Sequence, residues 1–128
     1  METVLSNWNP DILERIAASD DLHIAALRDD LSTLGTLTWI WSVVVEGDLY
    51  VRAYYGQNGR WYKAAMKNKA GRITAAGETL DVLFAPETGT VNDRIDDAYR
   101  KKYAGSPYLG HMIGKGSRAA TVKILPKG

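Results

Sequence analysis

The stretch "TLTWIWSVVVEGDLYVRAYYG", residues 36–56, constrains the fold more than any other. Two runs rich in β-branched and aromatic residues flank Glu46-Gly47-Asp48, the signature of an antiparallel hairpin. A two-residue loop needs a positive φ at Glu46, which a side chain resists. A three-residue loop, with a type I turn on Val45-Glu46 and Gly47 as the left-handed bulge, avoids that strain. The three-residue loop pairs Val44 with Asp48. One face of the hairpin then carries Trp39, Trp41, Val43, Leu49, Val51 and Ala53, and the other Thr38, Ile40, Ser42, Tyr50, Arg52 and Tyr54. A one-residue slip would exchange faces, so the separation into apolar and polar-aromatic sets supports this register.

The remaining elements follow from local signals. "NWNPDILERIAAS" opens a helix, with Asn9 as cap, Pro10 at its first position, Asp11 complementing the dipole and Trp8 stapled on Leu13. Asp21 to Leu27 predicts a short strand, and "DLSTLGT" an irregular connection. "RWYKAAMKN" predicts a helix from Arg60 to about Asn68. "AGRITAAGETLDVLFAP" predicts a second hairpin turning at Gly77, with Leu80, Val82 and Phe84 pointing inward. "TGTVNDRIDDAYRKKYAG" predicts a helix capped by Thr90, acidic early and basic late, with a stripe of Val91, Ile95, Ala98, Tyr99 and Lys102/Tyr103. "GSPYLGHMIGKGS" is a glycine-rich loop or short helical turn, and "RAATVKILP" a closing strand. Five or six antiparallel strands with interspersed helices make the class α+β, a small barrel or sandwich with helical insertions.

The 128 residues suit a single domain with one core. With no cysteine, disulfides, thiolate nucleophiles and zinc knuckles are excluded. A net charge of +1 argues against a dedicated nucleic-acid or anionic-membrane binder. "METVLSNWNP" lacks the basic start and apolar run of a signal peptide, and no apolar run reaches membrane-spanning length. The expected location is therefore cytoplasmic. His23 and His111 stand outside any metal-ligand spacing, and neither has a visible catalytic partner, although His111 lies in the glycine-rich loop. Neither a G-x-S-x-G elbow nor a phosphate-binding G-x-x-x-x-G-K-[ST] loop is present.

The residues best suited to chemistry form an aromatic-cation cluster. Arg52 can fork a phosphate, and Thr38 and Ser42 can add hydroxyls from the neighbouring strand. Tyr54 runs into "YYGQNGRWYKAA", where Arg60 and Lys63 occupy the first turn of a helix with no acid beside them. A helix N-terminus is already positive, so two cations there are unfavourable unless an anion joins them. A phosphate corner at Thr38, Arg52, Arg60 and Lys63, with a flat ring against Tyr54 or Trp61, satisfies both observations. The alternatives are structural: Trp39 and Trp41 belong in a core, and Arg52 stacks on a tyrosine or pairs with Glu46 or Asp48.

The runs W-x-V-V-x-x-G-D-L-Y-V-R and I-D-D-A-Y-R-x-K-Y, within a similarity from about Thr36 to the C-terminus, resemble the uncharacterised domain-of-unknown-function family 2255. That family looks related to the FMN-binding split β-barrels, which include pyridoxamine-phosphate-oxidase-like and deazaflavin-dependent nitroreductase-like proteins. The resemblance implies an antiparallel split β-barrel with a few peripheral helices, often a homodimer, with FMN or a deazaflavin in a groove near the subunit interface. The relatives' K-S-G-x-x-R segment is reduced here to Arg28, Ser32, Thr33 and Gly35, and a serine that often follows the hairpin arginine is Ala53. Two functions remain open: a flavin- or deazaflavin-dependent oxidoreductase acting on a small molecule, and a non-enzymatic flavin-, nucleotide- or anion-binding module or a barrel with a degenerate groove.

Overall fold

The computed structural model describes residues 8–127. Met1–Asn7, the start of the segment expected to lack a signal peptide, lie outside the described residues. Helix α1 (Pro10–Ala17) begins as its sequence predicts: the Asn9 side chain accepts from the amides of Asp11 and Ile12 at 2.9 and 3.3 Å. Leu13 and Ile16 bury its apolar stripe. Trp8 is also buried, and its indole N–H donates to the Ile124 carbonyl at 2.9 Å.

Seven strands follow among the described residues: β1 (His23–Ala26), β2 (Thr38–Trp39), β3 (Ser42–Val45), β4 (Asp48–Arg52), β5 (Ala70–Ala75), β6 (Glu78–Pro86) and β7 (Thr121–Pro126). Every pairing is antiparallel, and the order across the sheet is β2-β1-β5-β6-β7-β4-β3. Strands β2 and β3 sit at the two ends of that order, yet only Ile40 and Trp41 join them. Seven flat strands would separate the ends by roughly 29 Å, whereas two linking residues reach about 11 Å. The sheet therefore curls until its edges approach without pairing, and the fold is an α+β split barrel.

Three expectations for the first hairpin are corrected. Its loop has two residues, Glu46 and Gly47, at φ 53° and 84°, and Val45 rather than Val44 pairs with Asp48. The double positive φ is that of a type I′ turn, whose twist matches the strands and offsets the strain at Glu46; Arg94 also forms an ion pair with the Glu46 carboxylate. The one-residue slip puts Val43 opposite Tyr50 and Val44 opposite Leu49, so the β3 side chains exchange faces. Finally, the predicted long strand breaks at Ile40-Trp41, and Thr38-Trp39 pair with β1 at the far edge of the sheet. Thr38 is thus not on the strand beside Arg52.

Strand β4 is buried on both sides. Leu49, Val51 and Ala53 face the barrel core with Ile24, Ile73, Val82, Phe84, Val122 and Ile124. Val43, Val45 and Tyr50 face helix α3 (Val91–Lys102) through Ile95 and Tyr99. That helix carries its predicted stripe and charge order, but the Thr90 side chain makes no capping bond. Helix α2 (Arg60–Asn68) closes the barrel with Tyr62 and Ala65. The glycine-rich segment forms two short helices, α4 (Leu109–Met112) and α5 (Lys115–Arg118). In β5, a Cβ on Gly71 would overlap the Ala25 carbonyl and come within 2.8 Å of the Phe84 ring, so close strand approach there requires glycine. No helix among the described residues is long and apolar enough to cross a membrane.

Candidate functional site

Strand β4 ends at Arg52, and the chain turns through Tyr54 and Tyr55 into a short 3₁₀ turn, Gly56–Asn58. Gly56 adopts φ 69°, and a Cβ there would stand 3.2 Å from the Gly116 carbonyl. The Gln57 amide donates to the Ala119 carbonyl at 3.0 Å and fixes the turn against α5. Gly59 then starts α2 as an N-cap without a side-chain acceptor, and its first turn holds no acid. The amides of that turn keep their partial positive charge, and Arg60 adds to it. Neither Arg60 nor Lys63 forms an ion pair among the described residues.

This helix start opens onto a cleft of about 990 Å³, within the range of small-molecule sites. Its lining brings together Thr38, Arg52, Tyr54, Arg60 and Trp61 from the sequence prediction, with Arg52 fully buried in its wall. Lys63 is exposed on α2 and is not part of the lining. Seven aromatic residues border the space, three tryptophans and four tyrosines. Trp39 corrects its expected core position: on edge strand β2 it is 50% exposed, and its indole N–H donates to the Asp20 carbonyl at 2.7 Å. Trp41 is buried as expected and stacks on Tyr103 at 3.9 Å. Tyr54, exposed at the rim, meets Tyr55 and Tyr108 edge-on at 5.2 and 6.3 Å. The Thr38 hydroxyl donates to the Thr36 carbonyl at 3.3 Å and retains its lone pairs as acceptor.

Arg52 has a different set of partners from those expected. Its side chain is fully buried, and all five N–H groups are used within the protein. Nε donates to Thr121 Oγ1 at 2.9 Å, Nη1 to Asp96 Oδ1 at 2.5 Å and the Met112 carbonyl at 3.2 Å, and Nη2 to the Asn92 carbonyl and Oδ1 at 3.3 and 3.0 Å. The guanidinium also lies 5.3 Å from the Tyr99 ring centre. Stacking on a tyrosine therefore holds, but the acid is Asp96; Glu46 pairs with Arg94 and Asp48 with Lys123. With no N–H left over, Arg52 cannot grip a ligand phosphate unless this network opens. It ties β4, α3, α4 and β7 together under the cleft. Arg118 holds the other Asp96 oxygen at 2.5 Å and Asp93 at 2.8 Å.

Burial raises the pKa of the Tyr103 phenol, as it does that of Tyr99, so both remain neutral donors. Burial likewise lowers the pKa of Lys102, whose ammonium donates to the Ser42 carbonyl at 2.8 Å. His111 stacks on Tyr54 at 4.0 Å, and its Nε2 lies 2.5 Å from the Tyr54 carbonyl, which requires the proton on Nε2. It braces the back of the Tyr54 wall, beside a second cavity of about 490 Å³.

Asp20, Asn58, Tyr103, Tyr108 and Met112 also border the cleft. Tyr103 was legible as part of the α3 stripe and Tyr108 as part of the glycine-rich loop. Nothing local marked Asp20, whose position depends on the β1–β2 pairing.

Residues 12–124 match the model of a family described as "Uncharacterized protein conserved in bacteria (DUF2255)". No curated protein matches the chain. Among solved structures it is similar to a Listeria innocua protein called "Putative Pyridoxamine 5'-phosphate oxidase", with TM-score 0.65 and 12% identity over 93% of each chain. It is also similar to the conserved hypothetical protein Rv2991 from Mycobacterium tuberculosis, with TM-score 0.64 and 11% identity over 97% of this chain and 82% of that one. At such identities the likeness shows the split-barrel fold alone.

Proposed function

Since the chain belongs to the DUF2255 family and shares its barrel with a pyridoxamine-phosphate-oxidase-like protein, we propose that its cleft binds FMN or a deazaflavin and serves an oxidoreductase acting on a small molecule. The observation that carries this reading is the acid-free, uncapped N-terminus of α2 opening with Arg60 onto an aromatic cleft. A phosphate there would meet first-turn amides and a guanidinium, which accounts for two cations where a helix normally places acids. Tyr54 and Trp61 supply faces for a ring, Thr38 a hydroxyl, and Lys63 long-range charge. Arg52 positions the floor instead of touching the ligand. When bound, the flavin ring would accept or donate the hydride or electrons; the protein's part is to hold phosphate and ring and to shield them from water.

The same proposal includes a homodimer whose interface closes the open side of the cleft, so the protein should elute at twice its 14.1 kDa chain mass. Purified protein should show flavin absorbance, or tryptophan quenching and a thermal upshift on titration with FMN or a deazaflavin. A colourless protein with neither quenching nor upshift would overturn the reading. Stabilisation without turnover of any electron acceptor would instead support the binding-module alternative.

A further inference from the structure

The four tryptophans divide by what their indole N–H groups meet. Trp8 donates to the Ile124 carbonyl at 2.9 Å and Trp39 to the Asp20 carbonyl at 2.7 Å. Trp61 has no acceptor among the described residues, but it is only partly buried, so solvent can meet its N–H. Trp41 is 8% exposed, and its indole N–H also has no acceptor among the described residues. Its backbone amide is unmatched too. Hydrogen-bonded pairs alternate along an antiparallel ladder, so those at Val45–Asp48 and Val43–Tyr50 predict another at Trp41–Arg52. Pairing stops one residue short, at Ser42 and Val51, and the Tyr99 hydroxyl takes the Trp41 carbonyl at 3.3 Å. The Trp41 amide then finds no acceptor among the described residues.

A buried donor without a partner is costly, and folded proteins leave few of them. Trp41 borders the cleft, so a molecule bound there can bring the acceptor. Tyr103 stacks on the indole with 2° between the planes and holds the ring in place, so the donor is fixed in advance. An indole N–H only donates, and it carries no charge. It matches a neutral oxygen better than an anion, because one neutral donor cannot offset the desolvation of a charge beside Ile40 and Met112. The aromatic walls favour a flat ring as the bearer of that oxygen. We propose that Trp41 is a specificity-determining residue of the cleft, its indole N–H donating to a ring carbonyl oxygen of a flat bound molecule. This deepens the proposed function by naming the group of the ring that the protein reads, and it rests on the cleft being a ligand site. Arg60 takes the anionic group, and Trp41 the carbonyl edge.

Anthraquinone-2-sulfonate and anthracene-2-sulfonate provide the test, since they share shape and charge and differ in the ring carbonyls. The readout is the Trp41 indole N–H cross-peak in a ¹⁵N correlation spectrum of the wild-type protein, which no variant's folding can compromise. The quinone should shift that peak downfield and saturably, and the anthracene should give no downfield shift. Trp41→Phe keeps a ring against Tyr103 and removes the N–H. It should weaken quinone binding about tenfold in calorimetric titration and change anthracene binding less than about twofold, with circular dichroism checking the fold. The inference is overturned if the quinone produces no saturable downfield shift, if the anthracene binds as tightly, or if folded Trp41→Phe binds the quinone like wild type. The two readings separate cleanly: FMN binding with an unmoved Trp41 peak sinks only this one. Quinone binding through Trp41 with no response to FMN or a deazaflavin sinks only the cofactor.

Discussion

Replacing Asp96 with alanine removes the one formal negative charge that Arg52 contacts. The guanidinium stays fully buried and keeps four neutral acceptors: Thr121 Oγ1, the Met112 carbonyl, and both oxygens of Asn92. A cation left in a low-dielectric site without its counter-ion typically costs about 3–5 kcal/mol. For a chain of this length the unfolding entropy is on the order of 0.27 kcal/mol/K, so a loss of about 4 kcal/mol lowers Tm by about 15 °C. Arg118 provides the internal control, because it touches the same carboxylate with a side chain 38% exposed. Water can replace its partner, and Arg118→Ala should cost about 1 kcal/mol or less. Asp96→Asn, which keeps one acceptor but no charge, should fall between them. Urea unfolding followed by circular dichroism and tryptophan fluorescence measures all three. The reasoning is refuted if Asp96→Ala lies within about 1 kcal/mol of wild type, or if Arg118→Ala is equally damaging.

Other perturbations probe separate parts of the molecule. Gly71→Ala should cost about 3 kcal/mol or more in denaturant unfolding, because the added methyl meets the Ala25 backbone as well as the Phe84 ring. Ala76 holds φ 52° in the second hairpin turn, so Ala76→Gly should raise stability by about 0.5–1 kcal/mol in the same assay. Backbone amides of Ser32 and Thr33 and the Thr33 hydroxyl hold the Asp30 pKa down at about 2, from 3.8. A depressed folded pKa stabilises the fold above the unfolded value, and that stability disappears as pH falls from about 4 through 2. The Asp30→Asn variant should therefore lose less stability than wild type across that window in pH-dependent thermal scans. Arg60→Glu should stabilise α2 by about 0.3–1 kcal/mol while abolishing FMN-induced thermal upshift; unchanged FMN binding would reduce the helix start to an ordinary surface.

Local chemistry made most elements legible. Asn9-Pro10 starts α1, Gly59 precedes α2, and acidic-then-basic order marks α3, because each signal acts within one turn of backbone. The errors arose where two local solutions were close in energy. At Glu46-Gly47 a side chain at positive φ costs little once strand twist and Arg94 favour the tighter loop, and a single residue then reversed β3. At Ile40-Trp41 nothing local shows that the chain crosses from one edge of a curled sheet to the other. The candidate site inherited the second of these errors: with Thr38 and Trp39 carried to β1, Trp39 moved from core to cleft wall and Thr38 left Arg52's side.

Arg52 and Arg60 mark the boundary between the two kinds of information. That Arg60 begins a helix without acid or cap is written in consecutive residues, since dipole and capping are short-range effects. Arg52, equally basic and only eight positions earlier, is set by groups 40 to 69 residues away, Asn92, Asp96, Met112 and Thr121. A buried guanidinium must satisfy every donor, and only the packing of α3, α4 and β7 on β4 supplies the acceptors.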